Sequence, residues 1–146
     1  MTDPTPATPD APWRRILIDT PDALIYADRE GVIRAWNPGA EAVFGFSAAE
    51  ALGQSLDLII PERLRAAHWR GYERAMARGA TSHGAQVRTT RGTHKEDDRK
   101  LYVDMSFGVV LDDAGSVLGS VAMARDVTER YLAEKARQAA ATGGAP

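Results

Sequence analysis

Along this chain the apolar residues change their spacing twice. The changes divide it into a leading strand pair, a helical middle and a closing run of strands. Residues 13–20 (WRRILIDT) read as a short amphipathic helix that Pro21-Asp22 ends. The runs 23–27 (ALIYA) and 32–36 (VIRAW), joined by Asp28-Arg29-Glu30-Gly31, predict a hairpin. Asn37-Pro38 places an N-cap before a proline at the first helical position, and Gly45 closes that helix. Ser47 with Glu50 three residues later is a capping box, and Gly53 is the stop. Helices this short do not stand alone, so they must pack on a sheet. Pro61 opens a longer helix that lasts to Arg78-Gly79. At 100° per residue Leu64, His68, Tyr72 and Ala75 share its apolar face, with Trp69 and Met76 on the flank. Arg63, Arg70, Glu73 and Arg74 take the other side.

After Gly79 the period shortens. Residues 85–90 form a weak strand and 91–98 a polar loop. Leu101, Val103, Met105, Phe107 and Val109 then alternate with Tyr102, Asp104, Ser106 and Gly108, the period of a strand with one buried face. Asp112-Asp113-Ala114-Gly115 is a hairpin turn and 117–124 the last strand. Asp126 with Glu129 repeats the capping-box spacing and opens a helix to about Ala141, beyond which 142–146 fray. Two strands, several helices and three strands predict an α+β domain: one five-stranded antiparallel sheet, short helices and one longer helix over one face, and flanking helices at both ends.

Composition narrows the classes. A net charge of −2, from eighteen basic and twenty acidic residues, gives no bulk attraction for nucleic acid or an anionic membrane. The absence of cysteine removes disulfides, thiolate catalysis and cysteine-ligated metal sites. Residues 1–12, rich in Pro, Thr, Asp and Ala, carry no apolar run and are expected to be disordered, and a cytoplasmic location is expected. No nucleophile motif, P-loop, GxGxxG or metal-carboxylate spacing stands out, so a catalyst is not expected.

The one chemically distinctive position is His68, a titratable side chain in the middle of an apolar helix face. Such a residue is ordinarily a buried, hydrogen-bonded core histidine. Small Ala67, Gly71 and Ala75 beside it leave room for a flat ligand, while Trp69 and Tyr72 could fill the same room as core. The apolar residues Trp13, Ile16 and Leu17, with Tyr131 and Leu132 at the other end, are candidates to pair across a twofold axis in a homodimer.

Three segments then carry a resemblance. Asp28-Arg29-Glu30-Gly31-Val32-Ile33 followed by Trp36-Asn37, the stretch 44–53 (FGFSAAEALG), and Arg125-Asp126-Val127-Thr128-Glu129-Arg130 resemble, in order, segments of the PAS sensory domains. The resemblance covers about 21–130, which leaves 1–12 as a tail, 13–20 as a flanking helix and 131–146 as a signalling helix with a frayed end. Residues 61–68 (PERLRAAH) resemble more closely the helix start of rhizobial-type oxygen-sensing haem PAS domains. One departure is Lys95-Glu96-Asp97-Asp98, which lacks the glycine of the family's turn, so that turn must differ.

That resemblance implies haem b as cofactor, His68 as its proximal ligand and a diatomic gas or redox change as the signal. By position it places Arg74 and His83 near the propionates, Arg88 toward bound oxygen, and Met105 and Phe107 on the distal side; Tyr72, on the helix face of His68, is counted with them as a cofactor-binding residue. Met105 replaces an aliphatic residue and is a possible sixth ligand. The flavin photosensor branch needs a reactive cysteine, which this chain lacks. Two rival readings are a cofactor-free interaction module that only dimerises, and a domain that binds a fatty acid or other hydrophobic metabolite. The output would pass to an effector domain or partner protein.

Overall fold

The computed structural model describes residues 10–81, 86–96 and 98–143. The elements run α1 (Trp13–Asp19), β1 (Ala23–Asp28), β2 (Ile33–Trp36), α2 (Pro38–Phe44), α3 (Ala48–Ala51), a 3-10 turn (Leu56–Ile59), α4 (Glu62–Arg78), β3 (Arg88–Thr93), β4 (Lys100–Leu111), β5 (Val117–Asp126) and α5 (Thr128–Gly143). Five antiparallel strands form one sheet in the order β2-β1-β5-β4-β3. The α+β architecture read from the periodicity is the one observed.

Local chemistry sets each boundary. In the first hairpin the Asp28 carboxylate accepts the N–H groups of Glu30 and Val32, both at 3.0 Å. Gly31 takes φ +80°, and a Cβ there would stand 2.2 Å from the Trp69 ring, so α4 packs directly on this turn. Asn37 caps α2 through Ala40 N–H at 2.9 Å and also accepts the Leu24 N–H at 2.8 Å. Both halves of the Ser47–Glu50 capping box are present. Phe44, Ile25, Ile33, Leu101 and Val103 are fully buried and form the centre of the core.

Three boundaries depart from the sequence expectation. β3 lies at Arg88–Thr93 rather than 85–90, so the first three residues of the expected polar loop, Arg91 to Thr93, are strand. Its polar side chains hide it: Thr93 pairs with Lys100 and Gly92 with Leu101, and the backbone ladder to β4, not an apolar pattern, fixes its place. Helix α5 begins at Thr128, because Val127 N–H donates back to the Tyr102 carbonyl at 2.9 Å and stays with the sheet. Asp126 therefore precedes the helix and accepts the Thr128 N–H at 2.9 Å. At the other end α5 reaches Gly143 instead of fraying from Thr142, whose hydroxyl bonds the Gln138 carbonyl at 3.0 Å. Of the expected N-terminal tail, residues 1–9 lie outside the described residues, as does Asp97 of the altered turn.

Helices α1 and α5 bury none of their residues. Trp13, Ile16 and Leu17 stand 44–46% exposed, as a pairing face would. Tyr131, expected to join that face, instead stacks on Tyr102 with ring centroids 4.0 Å apart. Among the described residues no helix is long and apolar enough to cross a membrane.

Capping contributions of this kind are measurable. Ser47→Ala is expected to cost about 1 kcal/mol of stability, the usual value of an N-cap, in urea unfolding. An unchanged midpoint would show that the box carries no weight in this fold.

Candidate ligand-binding site

Between α4 and the sheet lies a cavity of about 520 Å³. Its size falls within the range of small-molecule and cofactor pockets. From α4 it receives Leu64, Ala67, His68, Gly71, Tyr72, Arg74 and Ala75. The facing floor is the inner side of the sheet, and the register explains which side chains form it. Arg88 pairs with Met105, and Met105 with Ala124. Thr90 pairs with Val103, and Phe107 with Ala122. Directly paired residues share a face, so Arg88 stands on the same side as Met105 and Phe107. Small Ser120 and Ala122 of β5 lower the floor beneath α4, and Phe44, Leu56 and Ile59 close one end.

Six of the seven residues singled out in the sequence, His68, Tyr72, Arg74, Arg88, Met105 and Phe107, line this one cavity. His83 lies outside the described residues. His94 lies apart from the lining: it is buried against Gly45, and its Nδ1 accepts the Glu96 N–H at 3.0 Å. Sequence reasoning missed Ser120 and Ala122 of β5, and also Ile25, Phe44, Leu56, Ile59 and Ile60. In β5 the available signal was the alternation of small side chains at Ser120, Ala122 and Ala124, which leaves a shallow floor opposite a helix.

His68 is half-buried, and its Nδ1 is buried without a hydrogen-bond partner among the described residues. Burial holds the imidazole below its ordinary value of 6.5, and the Asp57 carboxylate pulls weakly the other way. The ring lies 4.8 Å from Trp69, edge-on, and 5.7 Å from Tyr72. Trp69 does not fill the cavity, since its Nε1 donates to Asp57 Oδ1 at 2.8 Å and its ring covers Gly31. Tyr72 is buried and its hydroxyl is already engaged. It donates to the Asp28 carbonyl at 2.6 Å and lies 3.1 Å from Ser120 Oγ, so the ring is a fixed wall. A Cβ on Gly71 would meet nothing within 4 Å, which leaves open space one turn from His68. Arg74 and Arg88 are exposed residues of the lining.

The lowered His68 value has a stability consequence with a definite sign. The unfolded chain takes up a proton near 6.5, whereas the folded imidazole resists until lower pH. Stability is therefore full above that value and falls as the pH drops below it. Urea unfolding at pH 7.5 and pH 5.5 is expected to give a smaller loss on acidification in His68→Gln than in the unmodified chain. An equal loss in both would contradict the burial of a neutral ring.

A single antiparallel sheet with helices over one face, a partly open cavity between them and a last helix that buries nothing is the architecture of a sensory module. The chain belongs to the PAS family: the family model described as PAS fold matches residues 17–132. Sensor protein FixL of Bradyrhizobium diazoefficiens is 42% identical over 55 residues, which are 38% of this chain and 11% of that protein. The chain thus spans about a tenth of the length of that curated relative. This partial match fits the rhizobial-type branch. The fold is also that of the PAS domain of a Colwellia psychrerythraea protein, with TM-score 0.69 and 20% identity over 80% of this chain and 95% of that one. An RNA-binding light-oxygen-voltage receptor gives TM-score 0.72 and 22% identity over 97% of this chain and 41% of that one.

Proposed function

We propose that this PAS domain is a sensor whose cavity takes haem b, with His68 as the axial ligand, and that it reports a diatomic gas or a change of redox state. The observation that carries the reading is the His68 imidazole: it is kept neutral by burial, its Nδ1 has no partner, and it lies in the middle of the cavity wall. A neutral imidazole is the form that ligates iron. Small residues line both sides of the space between helix and sheet, Ala67, Gly71 and Ala75 on α4 and Ala122 on β5. The guanidinium groups of Arg74 and Arg88 in the lining suit a ligand that carries carboxylates.

When bound, haem supplies an iron that takes a diatomic ligand. The chain's residues supply the rest. His68 holds the group and Tyr72 fixes its depth. Met105 and Phe107 wall the opposite side, and Arg88 offers donors there. On this reading Met105 acts as a wall on the sheet floor, with the iron held by His68 alone. Met105→Leu is accordingly expected to leave the spectrum of the reduced, reconstituted protein unchanged. A shift from six- to five-coordinate character in that variant would assign Met105 to the iron.

A rival use of the same space, by another hydrophobic metabolite, is favoured by the apolar end at Phe44, Leu56 and Ile59. Native mass spectrometry of protein purified from haem-supplemented cells separates the two. The mass of one haem b per chain supports the proposal. A different retained small molecule, or none even after addition of hemin, would defeat it. A homodimer through the exposed α1 face and transfer of the signal through α5 to an effector complete the proposal.

A further inference from the structure

Helix α4 has an outward side as well as a cavity side. At roughly 100° per residue, Arg63, Arg70, Arg74 and Arg78 fall within about 80° of one another around its axis, opposite buried Tyr72 and Met76. All four are exposed, and so are Ala66, Ala67 and Ala77, which lie between them. No large apolar side chain stands among the arginines, and the acidic residues of the helix, Glu62 and Glu73, lie along one edge of the group. Elsewhere the chain pairs its surface cations. Among the described residues seven ion pairs occupy seven basic side chains, and of these Arg65 alone belongs to α4. Arg65 turns back to the preceding segment, where it donates to the Ile60 carbonyl at 3.0 Å and faces Asp57. Arg63, Arg70, Arg74 and Arg78 form no ion pair among the described residues. A chain of net charge −2 therefore carries an uncompensated basic strip. The strip is about 22 Å long at roughly 1.5 Å of rise per residue.

We infer that this strip is a docking face for a partner protein, and that the partner presents an acidic helix with carboxylates three and four residues apart. Charge complementarity sets the sign of the partner. Spacing sets its form. Arg70, Arg74 and Arg78 recur every four residues, as side chains on one face of a helix do, so glutamates at the same interval on a partner helix come opposite them. The three alanines allow the two helix axes to approach closely. The same features disfavour other anions. Single-stranded nucleic acid is held by aromatic platforms beside the cations, whereas Trp69 and Tyr72 of α4 are turned into the fold and bonded to Asp57 and the Asp28 carbonyl. A membrane-surface helix buries bulky apolar side chains, and this face offers alanine. The inference does not depend on what fills the cavity. Arg74 belongs to the lining as well as to the strip, so the test leaves it untouched.

The test titrates the full chain into a labelled, alanine-rich helical peptide with glutamates at i, i+4 along one face, at physiological ionic strength, and follows fluorescence anisotropy. Binding is expected to saturate and to shift the α4 amides in NMR spectra. Arg63→Gln with Arg70→Gln is expected to weaken it about tenfold, near the upper end of what two exposed charge pairs contribute. Arg14→Gln with Arg99→Gln removes as much charge from exposed positions outside α4 and is expected to leave the affinity unchanged. A peptide of the same composition, with its glutamates spread around the helix, is expected to bind more weakly than the one-faced peptide. No saturable binding, an equal loss in the two double variants, or equal affinity for the two peptides would overturn the inference. Tighter binding to a short single-stranded RNA or to phosphatidylserine vesicles than to the one-faced peptide would overturn it as well.

Discussion

Asn37→Ala is expected to lower stability by about 3–4 kcal/mol, several times the effect of removing an ordinary N-cap. The side chain joins three parts of the fold. Its Oδ1 accepts from Ala40 N–H at 2.9 Å, as a cap does, and from Leu24 N–H at 2.8 Å, which belongs to β1. Its Nδ2 donates to the Asp22 carbonyl at 3.0 Å and reaches the Leu17 carbonyl at 3.2 Å, at the end of α1. Asn37 is itself 6% exposed, so water cannot readily replace it. Truncation forfeits the cap and leaves the Leu24 N–H unsatisfied, at about 1–3 kcal/mol for that group alone. A loss of this size is a large part of the stability of a typical domain, about 5–15 kcal/mol. Urea unfolding with Ser47→Ala as reference measures it. Asn37→Asp keeps both accepted bonds and loses the donors, and is expected to fall between. Equal midpoints for Asn37→Ala and Ser47→Ala would reduce Asn37 to a cap.

Half of that role was legible in the sequence. Asn37 before Pro38 announces a cap, but nothing in spacing says that the same oxygen serves a strand thirteen residues away. The same division runs through the fold. β4 shows itself because its apolar residues alternate, whereas β1 and β5 show themselves as mainly apolar runs bounded by turn signals. β3 was displaced because Thr, Arg and Gly at its positions carry no such pattern, and an edge strand is set by its neighbour's backbone. At the site, His68 was legible because helical period puts it among Leu64 and Tyr72. Arg88 was legible only as a position, since its inward face follows from its pairing with Met105. The β5 floor was missed because Ser120 and Ala122 contribute by being small, and small residues in a strand carry little signal on their own. The burial of His94 against Gly45 depends on a left-handed backbone at φ +83°, which no neighbouring residue type announces.

The second large effect is expected in His68→Ala, and it falls on binding instead of stability. Removal of an outer-shell partner of a metal ligand commonly costs 10–100-fold in affinity, and the ligand itself is worth more. Hemin affinity is therefore expected to fall at least about 100-fold in His68→Ala. The fold should survive, because the residue lies half-exposed on a cavity wall and its Nδ1 holds nothing else in place. His68→Gly leaves space for free imidazole in the same place, and added imidazole is expected to restore haem binding.

The most direct measurement is a titration of the purified chain with hemin, followed at the Soret band, beside His68→Ala and His68→Gly with imidazole. The account predicts saturation at one haem per chain, loss of the band in His68→Ala, and its return with imidazole in His68→Gly. Binding and spectra in His68→Ala identical to those of the unmodified chain, or no binding by the unmodified chain, would contradict it.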